Sequence, residues 1–227
     1  GRLTLTGTSP FADAIEVNAG TLEINAAIAA SNITVAAAGT LAGSGTLTNA
    51  VSVDGALEVG PVSGTGILTV LGDLTAGSTA FTAFQVNGTT QGTEHDHLAV
   101  TGTVTVAGTL VLRFGYVPAP GISFTLIENG GAEPVSGTFA RLPEGGKFDA
   151  GGVPLSITYA GGDGNDVVVT TVDGAPSLEN LPVSGLGNGT ATFNSRLTST
   201  GESATAVWVA WGTADGYLTD SWEYTNH

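Results

Sequence analysis

Short runs in which apolar and polar side chains alternate recur from the first residues of the chain onward. They include Leu3-Thr4-Leu5-Thr6, Ala14-Ile15-Glu16-Val17, Thr21-Leu22-Glu23-Ile24 and Ile33-Thr34-Val35. Alternation with period two predicts β-strands of roughly three to six residues, each with one face buried. Gly and Asn fall between the runs and supply the left-handed conformations that tight corners require. Helical periodicity is almost absent up to Ala76. Ala26 to Ala30 is the one short candidate, and neither a cap nor a charged face supports it. From Thr79 to about Val172 the expected strands lengthen: Phe81 to Val86, His97 to Val106, Leu110 to Phe114, Phe124 to Ile127, Leu155 to Tyr159 and Val167 to Thr171.

A Gly-Thr-Leu phrase threads these runs at Gly20-Thr21-Leu22, Gly39-Thr40-Leu41, Gly45-Thr46-Leu47 and Gly108-Thr109-Leu110. Looser echoes occur at Gly55-Ala56-Leu57, Gly66-Ile67-Leu68 and Gly72-Asp73-Leu74. Self-similarity of this kind points to a repeat architecture, in which each unit buries its apolar face only against its neighbours. Hairpin folds need a fixed two-residue turn followed by an antiparallel return, and no such phrase recurs here. The expected fold is all-β: a parallel β-helix or solenoid over residues 1–172, with a mixed sandwich as the alternative. Its longer-stranded region from about residue 79 is expected to cap the last coil. Asp173-Gly174-Ala175-Pro176 reads as a linker over 173–177. Beyond it the phrase disappears, and all three tryptophans, Trp208, Trp211 and Trp222, fall in the last twenty residues. Residues 178–227 are expected to form a partial immunoglobulin- or fibronectin-like β segment, roughly half of such a sandwich.

Composition narrows the function classes. Of 227 residues, 20 are acidic and five basic (Arg2, Arg113, Arg141, Lys147 and Arg196), for a net charge of −15. Nucleic-acid binding requires cations to neutralise phosphates, and docking on an anionic bilayer requires the same, so neither partner is expected. No apolar run approaches the roughly 18 residues of a membrane span, so no direct membrane insertion is expected either. The chain contains no Cys and no Met. The first excludes disulfides, thiol nucleophiles and thiolate metal sites, and the second is expected of a processed or excised piece of something longer. Glycine is abundant, at 35 residues, but follows no every-third-residue period, so a collagen helix is excluded.

The ordered series of motifs resembles a known family. Val17 to Asn25 and Gly39 to Leu47 are similar to the autotransporter-associated β-strand repeat of bacterial passenger domains and other large secreted proteins. Val86-Asn87-Gly88-Thr89, Asp96 to Val104, Phe124 to Asn129 and Gly137 to Gly145 resemble the region that follows such repeats, which closes on a stretch like Tyr159 to Val168. The resemblance covers residues 1 to 172. It implies a right-handed parallel β-helix, an extracellular or bacterial cell-surface location, a stalk or display role and no catalytic residues. The membrane β-barrel that accompanies true autotransport has no counterpart in this sequence. Leu181 to Thr213 resembles the start of a fibronectin-type-III-like module.

Few residues carry candidate chemistry. Gly161-Gly162-Asp163-Gly164-Asn165-Asp166-Val167 is similar to a single calcium-binding nonapeptide, with Asp163, Asn165 and Asp166 as oxygen ligands. Such sites are built by stacking consecutive repeats, so a plain turn leading into Val167-Val168-Val169 is the simpler reading. Glu94-His95-Asp96-His97 would set two imidazoles on one face of a strand, but no third ligand lies nearby, and a solvated loop is the simpler reading. Gly43-Ser44-Gly45 and Ser184-Gly185 lack the frame of a nucleophile elbow, and the acids show no paired cluster, so the chain is not expected to be an enzyme. Trp208, Trp211 and Trp222 are candidate glycan-stacking residues. Trp208 and Trp211 would lie on opposite faces of a regular strand, so at least one is expected to pack inside. The expected function is a structural stalk or fibre subunit, self-assembling end to end by strand addition with neighbouring domains or copies. The alternative is an adhesin that uses the tryptophan-bearing tail on a glycan or host surface.

Overall fold

The computed structural model describes residues 1–10, 13–174, 177–199, 209–211 and 224–226. All regular elements among them are strands, and no helix long and apolar enough to cross a membrane occurs. The chain divides into two units, Gly1–Val172 and Asp173–His227.

In the first unit the parallel pairings fall into three ladders. One joins the first halves of β3 (Ile15–Ile24) and β5 (Ile33–Gly43) to β7 (Val51–Val53), β10 (Leu74–Ala76), β13 (Val104–Val106) and β16 (Ser136–Gly137). The second runs from β1 (Arg2–Leu5) through the second halves of β3 and β5 to β8 (Ala56–Val59), β11 (Phe81–Val86) and β14 (Thr109–Phe114). The third links β2 (Ser9–Pro10), β4 (Ala27–Ala29), β6 (Thr46–Leu47), β9 (Ile67–Val70), β12 (His97–Val100) and β15 (Ser123–Asn129). Successive partners lie far apart in sequence: Ile15 pairs with Ile33, Ile33 with Val51, Val51 with Leu74 and Leu74 with Val104, steps of 18, 18, 23 and 30 residues.

Alternation explains what the ladders bury. Leu22, Leu41 and Leu57 stack in register on the inner side of the second ladder, while Ile28, Leu47, Val70 and Val100 do so on the third. Ala26 to Ala30, the one helical candidate, forms β4 instead. There Ile28 is fully buried against the in-register Leu47, and tertiary burial outweighs the helix propensity of its alanines. The glycines of the repeated phrase sit where one pass of the chain presses on the next. A Cβ on Gly39 would lie 2.1 Å from the Val17 carbonyl oxygen, and one on Gly108 2.2 Å from that of Ala80.

Pairing stays parallel as far as β15 and then reverses. β19 (Asp166–Thr171) lies antiparallel to β15, β18 (Val153–Gly161) to β19, and β17 (Lys147–Ala150) to β18. Phe124, Phe139, Leu155 and Ile157 are buried at this end. The Tyr159 hydroxyl donates to the Leu142 carbonyl at 2.7 Å and accepts from the Phe139 amide at 2.9 Å. At the other end β1 pairs only with β3 among the described residues, and Leu3 is exposed. A concavity of about 680 Å³ opens there, lined by Leu3, Leu5, Ile15, Val17 and Leu22.

In the second unit, β20 (Ser177–Gly187) and β21 (Thr190–Ser199) form an antiparallel hairpin, and β22 (Val209–Trp211) pairs antiparallel with β23 (Tyr224–Asn226). All positions of β20 are exposed, including Leu178, Leu181, Val183 and Leu186.

Candidate functional site

The richest polar assembly lies on the outer side of the second ladder. Register sets Thr21 beside Thr40, Ala42 beside Glu58, and Gln85 beside Arg113. On β11 alternation sends Thr82, Phe84 and Val86 inward and turns Phe81, Ala83 and Gln85 outward. Arg113 grips Glu58 with both terminal nitrogens, at 2.5 and 2.9 Å, across the intervening β11. Such a fork-on-fork pair fixes both side chains in one plane. The segment from Gly60 to Gly66, which connects β8 to β9, folds over this face. Glu23, 5% exposed, accepts the Val62 amide at 3.2 Å, and its carboxylate also takes hydrogen bonds from Asn25 and Thr4. These contacts, led by the one from Asn25, hold the Glu23 carboxyl below the usual range for glutamate. Together the strands and the strap enclose a groove of about 490 Å³, lined by Thr21, Thr40, Glu58, Pro61, Val62, Gln85 and Arg113 among others.

Asp96 ties the strap to the sheet from behind. It is fully buried; one oxygen accepts the Gly66 amide at 2.9 Å and the other the Gln85 amide at 2.6 Å. Burial raises its pKa to about 6 despite those two donors, with Glu58 adding to the rise and Arg113 opposing it. Between about pH 4 and pH 6 the folded chain therefore keeps a proton that the unfolded chain has released. The Asp96 contribution to stability is full below pH 4 and is lost as the pH climbs through 6, a change of roughly 3 kcal/mol. Carboxyl-detected NMR is expected to show Asp96 titrating near pH 6; a midpoint near 4 would contradict this.

The stretch Glu94 to His97 is not a solvated loop, because His95, Asp96 and His97 are all buried. The two imidazoles do not converge on one point. His95 packs edge-on against Phe124 with ring centroids 5.4 Å apart, and burial lowers its pKa. His97 instead bonds the Thr125 carbonyl through Nδ1 and Glu128 through Nε2, each at 3.0 Å.

In the acidic turn, Asp163 is exposed, while Asn165 spends its amide on the Gly131 carbonyl at 2.7 Å. One Asp166 oxygen accepts the Asn129 amide at 2.9 Å. Burial, joined by the nearby charges of Asp163 and Glu128, pushes the Asp166 carboxyl above its ordinary range. No group of three or more His, Asp or Glu that could hold a metal ion occurs among the described residues. Trp208 and Trp222 lie outside the described residues. Trp211 belongs to β22, in register with Tyr224, and its side chain is likewise outside what is described.

No family model and no curated protein matches the chain. The groove residues therefore have to be read from their own chemistry. Glu58, Gln85 and Arg113 escaped the sequence reading because they come from three strands whose register nothing local announces. The available signal was modest: each is a polar side chain at an outward position of an alternating run, and Arg113 is one of only five cations.

Proposed function

We propose that the chain is a structural, extracellular or cell-surface protein whose first unit winds as a right-handed parallel β-helix and serves as a stalk or fibre subunit. One observation carries this reading: three parallel ladders share the same succession of strands, so each pass of the chain visits all three before pairing with the next pass. Right-handedness is the near-universal sense of parallel crossovers. The resemblance to autotransporter-associated repeats points the same way. Stacked Leu, Ile and Val ladders and axial hydrogen bonds give such a coil stiffness, and its acidic surface discourages lateral clumping.

The two ends of the coil differ. Antiparallel strands close the β15 side, whereas the edge of β1 away from β3 has no partner among the described residues. The Gly1 and Leu5 carbonyls accept the Thr21 and Asn25 amides, both at 2.9 Å, so alternation turns the Arg2 and Thr4 backbone groups toward that edge. A strand from a neighbouring copy or module adds there, end to end.

Light scattering and negative-stain electron microscopy over a concentration series, at physiological salt to screen the net charge, test this reading. Assembly is expected in the native chain and is expected to be lost on Thr4→Pro, which removes an outward N–H along with the Thr4–Glu23 hydrogen bond but leaves the backbone pairing of Leu3 and Leu5 with β3 intact. Thr4→Val, which removes only the hydrogen bond, is expected to assemble. A native chain that stays monomeric at every concentration would overturn assembly through this edge, as would unchanged assembly by Thr4→Pro.

A further inference from the structure

The groove beneath the Gly60–Gly66 strap has a composition that a mere scaffold does not call for. Thr21, Thr40 and Gln85 line it, and neither hydroxyl nor the side-chain amide is hydrogen-bonded to another described residue. Each of these groups both donates and accepts. Beside them stands the Glu58–Arg113 pair, its bidentate geometry leaving lone pairs on the acid and N–H groups on the guanidinium unspent. The pair cancels its own charge, so the groove presents planar hydrogen-bonding groups with no uncompensated cation. An anionic ligand would also meet a chain of net charge −15.

An apolar platform lies on the same sheet face, outside the lining of the groove. Phe81 is 53% exposed, unusual for so large an apolar side chain, and it sits on the same outward face of β11 as Gln85. Its register partner is Ala56, two residues before Glu58. Strand spacing and rise set Phe81 about 8 Å from Glu58 along the sheet, close to the span of one or two pyranose rings. Ala56, the register partner of Phe81, sets only a methyl group beside the ring, while Ala83 between Phe81 and Gln85 is covered. The volume of about 490 Å³ falls within the range of small-molecule sites.

We infer that this groove is a binding site for a neutral oligosaccharide, with one sugar ring lying on Phe81 and the hydroxyls of the next read by Gln85, Thr40 and the Glu58–Arg113 pair. Vicinal hydroxyls match the paired donors and acceptors of an amide, a guanidinium and a carboxylate. The C–H face of a pyranose matches an exposed aromatic ring. The site does not depend on the stalk reading or on the tryptophans of the second unit.

The test is isothermal titration of the full chain with neutral trisaccharides of glucose (α- and β-linked), xylose and N-acetylglucosamine, with a polygalacturonate trimer as the acidic counterpart. At least one neutral trisaccharide is expected to bind. Phe81→Ala and Gln85→Ala are each expected to weaken it roughly tenfold, the scale of one lost stacking or bidentate contact. Both positions are outward, so their unfolding midpoints should match the native chain, which separates lost recognition from lost folding. Thr34→Ala, outward on the first ladder, is expected to leave binding unchanged. No binding by any neutral trisaccharide, preference for the acidic one, or affinity unaltered by both groove variants would each overturn the assignment.

Discussion

Replacing Phe124 by Ala is expected to lower the free energy of unfolding by about 3–5 kcal/mol, as full truncation of a buried aromatic does. Phe124 stands where the parallel stack gives way to the antiparallel closing strands, paired in β15 with Val169 of β19 and fully buried. Its ring takes the edge contact from His95 and a second one from Phe114, with centroids 6.0 Å apart. Cutting it back to a methyl group would leave a void bordered by β14 and the loop before β12, elements that cannot collapse independently because each is held in a different ladder. Chemical denaturation measures the loss. Val117→Ala, at a position 86% exposed, is the control and is expected to shift stability by no more than about 0.5 kcal/mol. A small effect at Phe124 would mean that the closing strands are not cooperative with the stack.

Gly43→Ala is expected to cost about 2–5 kcal/mol from two sources acting together. The backbone at Gly43 has φ of 130°, a region essentially reserved for glycine, and an added Cβ would lie 2.0 Å from the Ile24 carbonyl oxygen. Gly43 also exchanges backbone hydrogen bonds with Gly60, at 2.9 and 3.0 Å, so the residue cannot retreat without loosening the strap over the groove. Gly64→Ala provides the contrast. Nothing lies within 4 Å of its would-be Cβ and its φ is not positive, so it is expected to be neutral or slightly stabilising. Comparable losses at both positions would refute the close-approach explanation.

Local alternation made most strands of the first unit legible, since inward Leu, Ile and Val positions leave a period-two trace whatever their partners. The ladders themselves were less so. The Gly-Thr-Leu phrase stacks on itself between Gly20 and Gly39 and returns in that second ladder at Thr109-Leu110, yet Thr46-Leu47 belongs to the third. The phrase therefore falls on more than one face, within strands as well as at their starts. The long strands β3 and β5 each serve two ladders through a bend, and alternation alone had split them into pieces. Burial of His95 to His97 was invisible because it is imposed from outside by Phe124, Glu128 and the strap, all distant in sequence. The groove was hidden for the same reason: Glu58, Gln85 and Arg113 become neighbours only through pairings of 25 and 28 residues.

The lengthening of the pairing step has a further consequence. Up to β15 the extra residues fall mainly at one corner, between the second ladder and the third, in the segments 60–66, 87–96 and 115–122, while the other connections stay short. Within each parallel ladder neighbouring strands stay about 4.8 Å apart, whether 18 residues or 30 separate them in sequence. Contour length is thus uncoupled from reach: the chain can gain sequence without gaining height, and what it gains accumulates as a ridge along a single edge. Residues added on that ridge change the surface of one edge while the ladders keep their spacing.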